Sequence, residues 1–385
     1  MDFAPDETQK MLIESVNRFV QDRYGHAARQ EIAASGTAVD RGIWRFFGDM
    51  GWLSAGLPEQ AGGFGGGPVE TMLICEALGR GAVLEPVLAS AVLSAQTLVA
   101  AAPDRAADLL EPMLTGTEIW ATAYSEPDAR AMALPQATRA AVTDGGYVID
   151  GRKTLVLGGA AADRLIVSAR LSGAPDDGAG IALFLVPADR AGIARVSYSL
   201  IDGQRVSDLT FRSVEVSQNE LIATSGIGFA ALQAGIEHAI AAASALAVGT
   251  MERAVWMTRD YVSERRQFGV ALGSFQAVQH HMADMFIELE LARSMTYHAV
   301  AALEHSPARA RTRAISLAKV RAGQAARFVG AKAIQLHGGM GLTEEYFIGD
   351  LFRSLVVFDQ VFGDLNLHAQ RLAAIDGAEA RAKAE

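Results

Sequence analysis

From Glu7 to about Leu114, apolar residues recur every three to four positions, starting with Met11, Leu12, Val16, Phe19 and Val20. This period lines one face of a helix and predicts a helical zone. The run Gly62-Gly63-Phe64-Gly65-Gly66-Gly67 interrupts the zone after Pro58-Glu59. No strand pattern precedes it and no Lys-Ser/Thr follows, so it reads as a tight loop between helices. From about Glu118 to Asn219 the pattern shortens. Val148-Ile149, Leu155-Val156-Leu157, Leu165-Ile166-Val167 and the run from Ile181 to Val186 are bounded by Gly, Asp and Pro, which predicts buried strands. Asp150-Gly151 and Asp176-Asp177-Gly178 carry turn chemistry. Helical periodicity returns near Gly226. One long pattern spans Phe275 to His305, Ser306-Pro307 closes it, and a second spans Ala308 to Leu336. The order predicts an α+β multidomain chain: helical over 1–117, a β-domain over 118–222, helical over 223–385.

The 385 residues are half apolar and 20% charged, as in globular proteins of two or three packed units. A formal charge of −10 argues against a nucleic-acid partner. Cys75 is the single cysteine, so the chain holds no internal disulfide framework or cysteine zinc site, and no metal is expected. That fits a reducing compartment, and a cytoplasmic location is the expectation. The stretch from Met1 to Glu7 is acidic and lacks signal-peptide patterning. Gly226 to Gly249 is rich in Ala, Ile and Leu, yet Gln233, Glu237 and His238 interrupt it. Such groups are costly in hydrocarbon, so a buried helix is predicted, without membrane insertion. His280-His281 would point about 100° apart on a helix, which does not suit a shared metal. No Gly-x-Ser-x-Gly elbow occurs.

Two segments carry chemistry: Glu264-Arg265-Arg266-Gln267-Phe268-Gly269, and Gln335-Leu336-His337-Gly338-Gly339-Met340-Gly341. An Arg fork suits phosphate, and glycine permits close backbone approach. Each piece also has a structural reading. Arg265 and Arg266 would complement a helix dipole, and Gly338-Gly339 would end a helix. Together with the intervening helix from Phe275 to Met285, which holds Gln276, in this order and spacing, they resemble the C-terminal domain of flavin-dependent acyl-CoA dehydrogenases. The resemblance implies an N-terminal helical domain, a middle β-barrel-like domain and a C-terminal four-helix bundle. It implies FAD, an acyl-CoA substrate, an electron-transferring flavoprotein as acceptor, and a tetramer. Arg266, Phe268, Gln276, Gln335, Gly338 and Gly339 would complete the FAD site of a neighbouring subunit.

The same resemblance exposes departures. Tyr124-Ser125-Glu126-Pro127-Asp128-Ala129 is similar to the family's strand end beside the flavin, so Tyr124, Ser125 and Leu157 are its expected contacts. The family continues with Gly-Ser; this chain has Arg130-Ala131. Leu155 stands where the family has a stacking Trp, and Leu157 lacks the hydrogen-bonding side chain found there. Dehydrogenation beside a thioester needs a base for the α-proton, and a buried carboxylate suits that task. Counted from Arg353, the family's Glu position holds Phe362. Asp364 lies two residues on, and Asp359 is nearby. The family's other location falls near Ala239; Glu237 is about 200° away around the helix, and is a solvent-facing or paired carboxylate on its structural reading. Asp364 and Glu237 are therefore the two candidate bases. The lent parts look intact and the chain's own flavin and base positions look eroded, as in the smaller subunits of bacterial heteromeric acyl-CoA dehydrogenases. The expectation is one subunit of such an enzyme, acting on steroid side-chain, dicarboxylyl or branched acyl-CoA. The alternatives are a self-sufficient homotetramer and a flavin-free acyl-CoA-binding or assembly protein.

Overall fold

Asp6 sets where the first helix begins. Its carboxylate accepts the Gln9 N–H at 2.8 Å while the Gln9 side chain accepts the Asp6 N–H at 3.1 Å, closing a capping box. The computed structural model describes residues 4–37, 39–129, 133–134 and 136–382. The N-terminal helices are α1 (Glu7–Arg23), α2 (His26–Ala34), α3 (Arg41–Asp49), α4 (Pro68–Gly79), α5 (Ala95–Ala101) and α6 (Ala106–Leu114). The strands are β1 (Trp120–Ala123), β2 (Arg139–Thr143), β3 (Gly146–Leu157), β4 (Arg164–Arg170), β5 (Ile181–Pro187), β6 (Ile193–Ser199), β7 (Arg205–Ser217) and β8 (Leu221–Ala223). Then follow α7 (Gly228–Glu264), the short hairpin β9 (Arg266–Gln267) and β10 (Val270–Ala271), α8 (Gln276–His305), α9 (Ala308–His337), α10 (Ile348–Gln360) and α11 (Leu365–Ala382).

Contacts divide the chain into two units, each described by itself. One comprises the chain up to Gln30, Pro68–Val83 and everything from Ile240 onward; the other comprises Glu31–Gly67 and Leu84–Ala239. The N-terminal helical zone is thus shared between them. In the first unit α9 packs along α8, α10 and α11. Buried Ala318, Ala322, Ala325, Ala326 and Val329 keep α9 slim at those contacts. Glu76, Arg80, Glu252 and Arg293 form an ion network linking α4, α7 and α8.

In the second unit the sheet runs β6-β7-β3-β2-β4-β5-β8, with β1 added in parallel beside β4. Ala121, Ile149, Val167, Phe184 and Phe211 belong to its buried core. The predicted turn at Asp150-Gly151 is a correction: β3 runs through it and pairs with β7 on both sides, the register shifting between Ile149 and Gly151. Gly151 has φ +152, and a Cβ there would stand 2.4 Å from the Thr138 hydroxyl. Long-range pairing converts the local turn signal into a bulge. A second register shift falls between Lys153 and Val156.

The predicted C-terminal helices correspond to α8 and α9, within one residue at each end. Among the described residues α7 is the one helix long and apolar enough to cross a membrane, and 78% of its most apolar window is buried inside the structure. It is a core helix.

Candidate active site and cofactor-facing surfaces

Two buried strips in the second unit surround the end of β1. Where β1 runs out, Tyr124 and Ser125 are buried, and burial pushes the Tyr124 phenol well up from its ordinary value. Glu126 follows. Its carboxylate accepts the Lys153 ammonium at 2.8 Å and the backbone N–H groups of Ala137 and Thr138 at 2.6 and 3.1 Å. Burial alone would raise its pKa, but the Lys153 charge and these donors hold it below the usual range. Lys153 is 0% exposed and also donates to the Tyr124 carbonyl and the Ser168 hydroxyl. Desolvation brings its ammonium down to about 8, against the pull of Glu126.

The ion pair fixes β3 against the end of β1, and the next two residues make the second bulge. The Thr154 N–H donates to the Ser125 carbonyl at 2.9 Å. Leu155 adopts φ +52, with its side chain 47% exposed. A left-handed leucine is uncommon, and such strain clusters at functional positions. Leu157 is half-buried and stays in the ladder opposite Val206. The Arg130-Ala131 departure lies outside the described residues.

The second strip went unread in the sequence. Leu88–Ser94 forms a stretch of π-helix, a rare conformation often found at functional sites. Its Ser90 hydroxyl accepts the Trp120 N–H at 2.9 Å, and Ser94 lies 2.9 Å from the Thr122 hydroxyl. Thr97 packs on the α7 backbone, where a Cβ on Gly235 would stand 2.0 Å from its hydroxyl. Glu237, two residues further along α7, is only 2% exposed. The solvent-facing reading of Glu237 therefore fails. The helix is buried on several sides there, Ala239 included.

In the first unit the lent residues are all exposed. β9 and β10 are joined through Phe268 and Gly269, both at positive φ, which is type I′ hairpin geometry. Phe268 is 90% exposed at the tip. Arg266, Gln276 and Gln335 are also exposed, and their side chains make no hydrogen bond or ion pair among the described residues. The Tyr261 hydroxyl donates to the His337 carbonyl at 3.2 Å, and the two rings stack 4.4 Å apart. That contact ties the end of α7 to the end of α9. Gly338 follows at φ +60, ψ −136, a region essentially reserved for glycine. Gly338 and Gly339 are exposed, and Cβ atoms there would meet nothing.

The expected base positions lie at the turn between α10 and α11. Phe362 is buried at φ +60, and its carbonyl accepts from His368 Nε2 at 3.0 Å. Asp364 Oδ1 accepts the Leu367 N–H at 2.9 Å, the role of a helix N-cap. The Asp359 carboxylate binds Arg327 and the Gln360 amide. Buried Lys319 donates to the Phe358 and Asp359 carbonyls, with its ammonium 3.9 Å over the Phe358 ring. Burial holds Lys319 down at about 7 and His368 at about 4. Asp364 and Asp359 are thus both structurally engaged, while His368 Nδ1 is buried without a hydrogen-bond partner among the described residues.

Three family models cover most of the chain. The acyl-CoA dehydrogenase N-terminal domain matches residues 6–117, the middle domain 121–214 and the C-terminal domain 226–375. The probable acyl-CoA dehydrogenase YngJ of Bacillus subtilis is 29% identical over 97% of this chain and 98% of its own length. The structure of the ChsE4-ChsE5 complex from Mycobacterium tuberculosis superimposes with TM-score 0.87 at 25% identity, covering 97% of this chain and 98% of that one. The Tcur3481-Tcur3483 steroid acyl-CoA dehydrogenase superimposes with TM-score 0.86 at 27% identity, covering 97% and 99%.

Proposed function

This chain belongs to the acyl-CoA dehydrogenase family, and we propose that it works as one subunit of a heteromeric enzyme that places a 2,3-double bond in an acyl-CoA. It is an oxidoreductase acting on acyl-CoA, with FAD as cofactor. When bound, FAD supplies the acceptor for the β-hydrogen and its electrons. The residues present suit it. Arg266 offers an unpaired guanidinium fork to phosphate, Gln276 and Gln335 offer free amides, and the open backbone at Gly338-Gly339 admits close approach. In this reading those residues serve a flavin held mainly by a neighbouring subunit. Tyr124, Ser125 and the Leu155–Leu157 bulge would face the ring of the chain's own.

The observation that carries the heteromeric reading is the engagement of Asp364. Its carboxylate caps α11, and Phe362 fills the family's base position with a buried ring. A base from an unlike subunit completes the chemistry. Similarity to the ChsE4-ChsE5 complex and to a steroid acyl-CoA dehydrogenase supports this assembly and a ring-containing acyl group ahead of dicarboxylyl or branched chains. Exposed Phe268, Ile287, Leu291 and Leu342 supply apolar surface for a tetramer. An electron-transferring flavoprotein is the acceptor that fits the family, in the cytoplasm. One observation favours a second reading, a self-sufficient dehydrogenase: Glu237 is a buried carboxylate, as a general base requires.

The test is to purify the chain alone and record its visible spectrum and native mass. A colourless or poorly assembled protein that gains flavin on co-expression with an unlike homologue supports the heteromeric reading. One FAD per chain in a homotetramer overturns it.

A further inference from the structure

In the first unit α1, the start of α2, the end of α4 and one face of α7 enclose a cavity of about 370 Å³. That size lies within the range of small-molecule sites, which combine apolar walls with a few converging polar groups. Here the walls are Val20, Tyr24, Trp256 and Phe347. Trp256 is 38% exposed, with Phe286 6.1 Å from its ring.

The charged groups at the cavity differ in how far they are already used. Arg80 is satisfied by Glu76, Glu252 and Asn17, and Arg293 shares both carboxylates. His26 is held by Asp350 at 3.0 Å and lies 3.0 Å from the Gln30 amide. Two lining side chains stand apart. Arg253 and Gln21 are exposed and form no hydrogen bond or ion pair among the described residues. The neighbouring Arg259 guanidinium lies 4.7 Å over the Trp256 ring and is itself paired with Asp260 at 2.6 Å.

We infer that this cavity is a binding site for a compact aromatic or fused-ring carboxylate. The ring packs between Trp256, Phe347 and Tyr24, the carboxylate takes the Arg253 fork, and the Gln21 amide supplies a further donor. A neutral ring would leave Arg253 unused.

The other tryptophans, Trp44, Trp52 and Trp120, are 0–3% exposed, so accessible indole fluorescence reports on Trp256. The probe is 2-naphthoate, titrated by calorimetry into the full-length protein in its purified assembly, with 2-naphthamide as the uncharged control. Saturable binding at one per chain is expected, with protection of the accessible indole from acrylamide quenching. Arg253→Gln and the amide control should each weaken binding by at least about tenfold, the loss of a charge-assisted hydrogen bond, with Arg253→Lys in between. Trp256→Ala should weaken it also, while Arg212→Gln, on the exposed surface of β7, should not. Circular dichroism checks that each variant is folded, and the amide control tests the charge requirement with no variant at all. No saturable heat up to about 1 mM overturns the inference. So does binding that ignores the Arg253 and Trp256 substitutions, or that holds the amide as tightly as the acid.

Discussion

Asp208 Oδ1 accepts the backbone N–H of Leu155 at 3.1 Å, and the same atom accepts the Tyr198 hydroxyl at 3.0 Å. One carboxylate thus secures the left-handed residue of the β3 bulge from the neighbouring strands. Burial and the Asp208 charge push the Tyr198 phenol up to about 12, so the arrangement holds through neutral pH. Asp208→Ala should cost about 1–2 kcal/mol, read from urea melts. Leu155→Gly relieves a left-handed residue worth about 1 kcal/mol and should leave stability unchanged or raised. A large loss in Leu155→Gly would mean that the leucine side chain, not the backbone, matters at the bulge.

The Lys153–Glu126 pair is a different kind of contact, because both charges are buried. Removing one partner strands the other, at a cost of about 3–5 kcal/mol. Lys153→Met and Glu126→Gln should each fall in that range. The double variant should recover at least half of the summed loss, since no charge is then left unpaired. A double-mutant cycle by chemical denaturation measures the coupling. Additive losses would show that the pair acts only through separate hydrogen bonds.

His368 gives the turn before α11 a pH dependence. Desolvation, with smaller effects from Lys319 and Arg371, depresses its pKa to about 4 from 6.5, while its bond to the Phe362 carbonyl and Asp364 pull the other way. Between these values the unfolded chain binds the proton and the folded chain does not. The stabilisation is therefore full above pH 6.5 and is lost as pH falls towards 4, by roughly 3 kcal/mol in all. His368→Gln should flatten that part of the stability profile. Unfolding midpoints at several pH values check it, and an unchanged slope sinks the assignment.

How much of this was legible depends on range. The α8–α9 boundary could be read because Ser306-Pro307 is local punctuation between two periodic runs. Asp150-Gly151 misled for the same reason: its local signal favours a turn, while pairing of β3 with β7, some sixty residues on, decides the outcome. Asp364 carries a second, local meaning in the sequence, an Asp directly before a helix. The π-helical turn, the burial of Lys153 and Lys319 and the Trp256 cavity are tertiary outcomes with no short-range signature. Glu237 shows the limit most clearly. Helical phase set it on the face opposite Ala239, but a helix packed on several sides buries both.

Arg266 separates cofactor binding from folding. Its side chain is exposed and makes no contact that holds the hairpin, whose register is set by the Val270–Gln267 and Ala271–Arg266 pairs and the Phe268-Gly269 turn. Arg266→Ala should leave the stability of flavin-depleted protein within about 0.5 kcal/mol of the parent. FAD retention by the assembled enzyme should fall at least about tenfold, the loss of a charge-assisted hydrogen bond. Flavin absorbance after extensive dialysis gives the readout. Retention equal to the parent would mean that Arg266 does not face the cofactor.

Asp364→Asn tests the assignment of the catalytic base without disturbing the fold. Asparagine caps a helix about as well as aspartate, so its amide oxygen can accept the Leu367 N–H that Asp364 now holds. Stability should change by less than about 0.5 kcal/mol, whereas Asp364→Ala, which removes the cap, should lose about 1 kcal/mol. If Asp364 is purely structural, turnover by Asp364→Asn in the assembled enzyme should stay within about twofold of the parent. Loss of a general base would instead lower it by about 10²–10⁴-fold. Glu237→Gln beside it decides between the two readings of the chain. Full activity in both variants places the base on another subunit, and collapse in either one makes this chain catalytic in its own right.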